Sequence, residues 1–104
     1  MKREKKVFLV VEDFEDSRFM MRRLLEMAGY EVLEASDGVQ AVKIALDARP
    51  ALILMDLSLP KLDGLSATRE IRKKRVGRKV PIVAVSAHDS PQTHEERKKS
   101  FSGG

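Results

Sequence analysis

The sequence predicts an α/β fold, a doubly wound parallel sheet with helices on its faces. Three observations carry that reading. Short apolar runs alternate with helical patterns along the chain. The runs are apolar at nearly every position, which suits strands covered on both faces rather than strands with one wet side. Residues suited to chemistry stand at the carboxyl ends of those runs, where open parallel sheets place their sites.

Val7 to Val11 is a continuous β-branched and aliphatic run and reads as the first strand. Asp16 to Ala28 follows with Met20, Met21, Leu24, Leu25 and Ala28 on one helical stripe. Gly29 is placed to end that helix in the left-handed conformation. Tyr30 to Ala35 is the second strand, and Ser36-Asp37-Gly38 turns the chain. Val39 to Ala48 is helical, with Ala41, Val42, Ala45 and Leu46 inward, and Pro50 closes the pattern.

Ala51 to Met55 is the third strand, Leu57 to Gly64 a loop containing Pro60 and Asp63-Gly64, and Leu65 to Lys74 a third helix with a basic outer face. Val80 to Val85 is the fourth strand. Ser90-Pro91 has the form of a helix start, serine as cap and proline in the first turn. Strands alternating with helices imply parallel pairing through right-handed crossovers.

A chain of 104 residues is expected to form a single domain, residues 1–104, with residues 95–104 as an atypical polar tail. Hydrophobic residues are 42% of the chain but aromatics only 5%, so aliphatic side chains must build the core. There is no cysteine, which excludes disulfides and thiolate chemistry. The N-terminal Met1 to Lys6 precedes too short an apolar run for a secretory signal, and no stretch reaches membrane-spanning length. A cytoplasmic location without membrane contact is expected. Lys plus Arg is 20 against 16 Asp plus Glu, a net charge of +4. That excess, including Arg69 to Lys79, is read as a solvated face, and no direct nucleic-acid contact is expected.

The polar strand ends are Glu12-Asp13, Asp56 and Ser86. Each has an ordinary explanation: Asp13 as a turn starter, Asp56 as a loop carboxylate, Ser86 bonding its own backbone. Were strands one, three and four neighbours, all would meet in one crevice. Carboxylates gathered there repel one another unless a cation intervenes. Mg²⁺ is the natural cation, since it takes oxygen ligands and is often held by one or two carboxylates with a phosphate. An aspartate in such a cleft can act as nucleophile and form an acyl phosphate. Phosphoryl transfer needs positioning and charge neutralisation more than acid–base chemistry.

Three segments carry a family resemblance. Val7-Phe8-Leu9-Val10-Val11-Glu12-Asp13 resembles the opening strand of response regulator receiver domains. Leu52 to Gly64, LILMDLSLPKLDG, resembles their phosphorylation segment, and Pro81 to Ala87, PIVAVSA, their fourth strand and switch hydroxyl. The resemblance covers residues 5 to 94 and implies the flavodoxin-like receiver fold, strand order 2-1-3-4-5. It implies a phosphoacceptor in two-component signalling: Asp56 takes the phosphoryl group, and Ser86 bonds its oxygens and moves towards it. Asp13 and Asp56 hold Mg²⁺, with Glu12 acting through a water and Ser58 through its backbone carbonyl. Pro60 and Gly64 shape the loop that carries Ser58, and Ala87 leaves room beside the site. The implied donor is a phosphohistidine on a histidine kinase or phosphotransfer protein. Such a chain is a stoichiometric acceptor, not an enzyme.

Receivers continue into a fifth strand that ends in a phosphate-binding lysine, then a fifth helix. After Ser86 this sequence shows no further apolar run, and Lys98 and Lys99 follow the charged Glu95-Glu96-Arg97. The expectation is therefore a receiver that is incomplete at its C-terminus, with apolar surface exposed on the first helix and the adjoining sheet. Self-association and weakened phosphorylation should follow. The alternative function is a degenerate receiver that serves only as an interaction module.

Overall fold

The computed structural model describes residues 5–85, and these form the expected α/β layers. In chain order they are β1 (Val7–Val11), α1 (Glu15–Met27), β2 (Glu31–Ala35), α2 (Gly38–Ala48), β3 (Leu52–Asp56), α3 (Gly64–Lys73) and β4 (Ile82–Val85), with a 3₁₀ turn at Arg75–Gly77 before β4. The four strands are parallel in the order β2-β1-β3-β4. Strands one, three and four are therefore neighbours, as a shared crevice requires. The helix start expected at Ser90-Pro91 and the polar tail 95–104 lie outside the described residues.

Register does much of the positioning. Val11 pairs with Met55 across β1 and β3, so the next residues, Glu12 and Asp56, leave the sheet at the same level. Side chains alternate between faces along each strand. Leu9 and Val11 of β1 and Ile53 and Met55 of β3 turn to one face, where they meet Ala41 and Ala45 of α2 and Ala67 and Ile71 of α3. Alanines on the helices let those backbones approach the sheet closely. Leu33, Val42, Ile44, Leu59, Leu62 and Ile82 surround this core.

Helix ends follow their sequence signals. Asp37 caps α2 by accepting from Gln40 N at 2.8 Å, and Gln40 Oε1 reaches back to Ser36 N at 3.0 Å, a reciprocal arrangement close to a capping box. Asp63 caps α3 by accepting from Ser66 N at 2.8 Å. Gly29, at φ +98°, ends α1. There Tyr30 N donates to Leu25 O at 3.1 Å and Gly29 N to Glu26 O at 3.0 Å, the paired bonds of a Schellman motif.

The opposite face of the sheet carries α1, and its apolar stripe is divided. Met21 and Leu25 are half-buried against the sheet, but Met20 (63% exposed) and Leu24 (62%) point away, Ala28 is exposed, and no residue of α1 is fully buried. The helix lies over β2 and β1, and the partly buried residues Arg18, Met21, Arg22 and Leu25 make its stripe on that side. It is fastened by ion pairs from Arg18 Nε and Arg22 Nη1 to the two carboxylate oxygens of Glu34, at 3.0 and 3.1 Å. Phe8 stacks on Tyr30 at 4.3 Å between ring centroids. Among the described residues Phe19, Met20, Leu24 and Met27 of α1 and Val83 of β4 are exposed.

No helix among the described residues is long and apolar enough to cross a membrane.

Candidate metal and phosphoryl site

Glu12, Asp13 and Asp56 converge at the carboxyl edge of the sheet, each offering a carboxylate oxygen within 4.8 Å of the other two. β1 delivers the first two residues and β3 the third, and the level register brings them together. Glu12 and Asp56 are fully buried, while Asp13 stands at the open mouth. Burying two carboxylates is costly unless donors or a cation answer their charge.

Backbone donors fix two of the carboxylates. Phe14 N donates to Glu12 Oε2 at 3.0 Å, and Ser58 N donates to Asp56 Oδ1 at 3.0 Å. Both are contacts to a residue two positions away, of the kind that Asp and Glu make in turns. A bond of another kind comes from α1: Arg18 Nη1 donates to the backbone carbonyl of Glu12 at 3.0 Å. The same guanidinium holds Glu34, so it ties the start of the crevice to β2.

The loop after Asp56 is shaped by Pro60, Lys61 and Gly64. Leu62 N donates to Pro60 O at 2.7 Å across Lys61, whose φ of +66° is the left-handed value that a tight turn demands of a non-glycine residue. Lys61 Nζ lies 3.5 Å from Asp37 Oδ2, which links this loop to the cap of α2. Gly64 N donates to Leu57 O at 3.1 Å, and a Cβ on Gly64 would collide with the Asp56 carbonyl oxygen. The first turn of α3 thus rests on the backbone that carries Asp56.

Of the residues singled out from sequence, the structure brings Glu12, Asp13 and Asp56 together and ties Ser58 to Asp56 through its N–H. Ser86 and Ala87 lie outside the described residues. Arg18 was not foreseen, because a helical arginine carries no mark of the carbonyl it will find 6 residues upstream. Arg72 was taken for part of a solvated basic face. Its Nη1 instead gathers the carbonyl oxygens of Gly77 at 2.7 Å, Arg78 at 3.2 Å and Val80 at 2.6 Å, closing the connection into β4.

Three oxygens from carboxylates, with no sulfur or imidazole, form a donor set for a hard divalent cation of the Mg²⁺ type. The residues present fit such an ion.

A family model described as the response regulator receiver domain matches residues 8–100. The polar-differentiation response regulator DivK of Brucella anthropi is 38% identical over 82 residues, covering 79% of this chain and 67% of DivK. Among solved structures, the receiver domain of the sensor histidine kinase PA1611 from Pseudomonas aeruginosa is 31% identical with a TM-score of 0.77, and the match covers 97% of this chain and all of that one. That structure holds a magnesium ion coordinated in its active-site cleft. The chemotaxis protein CheY4 of Vibrio cholerae is 28% identical with a TM-score of 0.77, over 97% of this chain and 82% of CheY4.

Proposed function

The chain belongs to the response regulator receiver domain family, and from that premise we propose that it accepts a phosphoryl group on Asp56 from a phosphohistidine, with Mg²⁺ in the cleft. The observation that carries the reading is the meeting of Glu12, Asp13 and the buried Asp56 at one strand edge. Asp13 and Asp56 would hold the ion directly, Glu12 through a water, and the Ser58 carbonyl would complete the protein ligands. The ion would supply positive charge against the phosphoryl oxygens.

The chain's own groups do the remaining work. A carboxylate oxygen of Asp56 attacks phosphorus, the P–N bond to the donor imidazole breaks, and its electron pair stays on that nitrogen, so a donor protonated on its other ring nitrogen leaves as neutral imidazole. The product is an aspartyl phosphate. Ser58 N–H on Oδ1 sets the plane of the carboxylate before attack. Burial of Asp56 excludes bulk water from the side of the sheet. By the resemblance to receivers, Ser86, which follows β4 in the sequence, is the hydroxyl that would bond the phosphoryl oxygens. The acceptor turns over once per phosphoryl group, so the domain is a signalling component of a phosphorelay and not an enzyme. Its donor would be a histidine kinase or phosphotransfer protein, with cytoplasmic location and no direct contact with nucleic acid.

The test is to incubate the 104-residue chain with Mg²⁺ and a small-molecule phosphodonor and weigh the intact protein. A base-labile gain of one phosphoryl group that requires Mg²⁺ and vanishes in Asp56→Ala is expected. No gain, or a gain that survives Asp56→Ala, would reject the proposal.

A further inference from the structure

The turn between β2 and α2 touches both halves of the acidic site. On one side Ala35 O accepts from Glu12 N at 3.0 Å, which fixes the backbone where β1 enters the crevice. On the other side Asp37 and Gly38 meet the loop of residues 57–63 that follows Asp56. Gly38 is buried at the start of α2, and its missing side chain is what admits that loop. A Cβ there would collide with the Leu62 carbonyl oxygen and stand 2.6 Å from the Leu62 carbonyl carbon. Those obstacles are backbone, so no side-chain rotation relieves them.

Asp37 divides its carboxylate between two tasks. Oδ1 accepts from Gln40 N at 2.8 Å and caps α2, while Oδ2 lies 3.5 Å from Lys61 Nζ. The Lys61 side chain is 69% exposed, so the pair adds little to stability. Yet Lys61 holds φ at +66°, a costly conformation that persists only where the surroundings dictate it. Leu62 N closes the turn across Lys61 on Pro60 O, and Leu59 and Leu62 pack against the core. At the base of the loop Gly64 N donates to Leu57 O. The loop is thus pinned at its base by the first turn of α3 and at its far side by the first turn of α2.

Ser58 stands between those two pins. Its N–H holds Asp56 Oδ1 at 3.0 Å, so the course of the loop decides where that donor sits. We propose that Asp37 and Gly38 are positioning residues for the acidic site, a role that rests on the reading of that site as one for Mg²⁺ and a phosphoryl group. They supply no ligand atom. The start of α2 sets the far side of the loop, and the loop sets the Ser58 peptide and the plane of the Asp56 carboxylate. The Ala35 carbonyl does the same for Glu12 from the other end of the turn, so one short segment braces both strands of the site.

Two measurements on the full 104-residue chain test this. Nuclear magnetic resonance reads the Asp56 and Ser58 amides in metal-free protein, and calorimetry reads the Kd for Mg²⁺. Gly38→Ala is the first variant and Gly77→Ala its control. A Cβ on Gly77 also collides with backbone, the Ile71 carbonyl oxygen, but at the entry to β4 on the opposite edge of the sheet. Both variants should lose stability. Only Gly38→Ala should shift the Asp56 and Ser58 amides and raise the Kd, by about tenfold, as residues that orient metal ligands do. Lys61→Gly is the milder variant, because glycine adopts a φ of +66° without strain and the fold should be kept. It should shift the Asp56 amide and raise the Kd severalfold, although removing a positive charge near carboxylates would by itself tighten Mg²⁺. Unmoved amides in folded Gly38→Ala would overturn the proposal. So would an equal rise in Kd for Gly77→Ala, or an unmoved Asp56 amide or tighter Mg²⁺ binding in Lys61→Gly. A wild type that binds no Mg²⁺ would reject the reading of the site, and the amide shifts would still decide the positioning.

Discussion

Gly64 rests against the backbone of Asp56 so closely that a Cβ there would strike the Asp56 carbonyl oxygen and stand 2.8 Å from Leu57 Cα. Helix α3 and Asp56 are therefore one mechanical unit. Gly64→Ala should displace that unit, lowering stability by about 1–3 kcal/mol as overpacked sites do and weakening Mg²⁺ binding. Gly29→Ala is the control. It also costs stability, because φ is +98°, but nothing lies within 4 Å of its Cβ position, so Mg²⁺ affinity should be unchanged. Denaturant unfolding and calorimetric Mg²⁺ titration read the two effects separately.

Arg18 supports the site from outside the carboxylate cluster. Its Nη1 holds the Glu12 carbonyl while its Nε holds Glu34. Arg18→Ala should weaken Mg²⁺ binding by about tenfold, the low end for residues that orient metal ligands. Arg22 pairs with the same Glu34 through its Nη1, so Arg22→Ala should cost less Mg²⁺ affinity than Arg18→Ala. Equal losses in both variants would mean that only the docking of α1 matters.

Arg72 closes the entry to β4 through carbonyls of Gly77, Arg78 and Val80. Hydrogen bonds to a charged group are worth more than neutral ones, so Arg72→Ala should cost about 2 kcal/mol in unfolding free energy. Lys73 next to it makes an exposed pair with Glu70 at 3.0 Å, and Lys73→Ala should change stability by no more than about 0.5 kcal/mol.

The cap of α3 carries a pH signature. The Ser66 backbone N–H on Asp63, helped by the Ser66 hydroxyl, holds its carboxyl below the ordinary aspartate value. A carboxyl depressed in the folded state stabilises the fold above its unfolded value of about 3.9 and ceases to do so as pH falls through its folded value. Asp63→Asn keeps a capping oxygen but removes the titration. Its melting temperature should therefore converge with that of wild type as the solution is acidified below pH about 4, and fall behind it near neutrality.

The strands and the acidic site were legible in the sequence because both depend on local pattern. Val7 to Val11 has the pattern of a buried strand, and Glu12, Asp13 and Asp56 stand where strands end. The level pairing of Val11 with Met55 then makes the site. What the sequence hid depends on partners far along the chain. The apolar stripe of α1 was legible but its division was not, because an amphipathic pattern does not say how much sheet lies beneath the helix, and Met20, Leu24 and Ala28 are exposed. Arg18 and Arg72 read as surface charge because their partners are backbone carbonyls, which every residue has. Gly64 read as a turn residue, and only the packed backbone shows what it lies against.

The central claim is that Asp56 alone receives the phosphoryl group, and trapping the product tests it most directly. Borohydride reduces an acyl phosphate to the corresponding alcohol, marking the acceptor in a peptide mass spectrum. After incubation with Mg²⁺ and a phosphodonor, the account predicts reduction at position 56 and at no other carboxylate. Reduction at Glu12 or Asp13, or none anywhere in a chain that binds Mg²⁺ and remains folded, would contradict it.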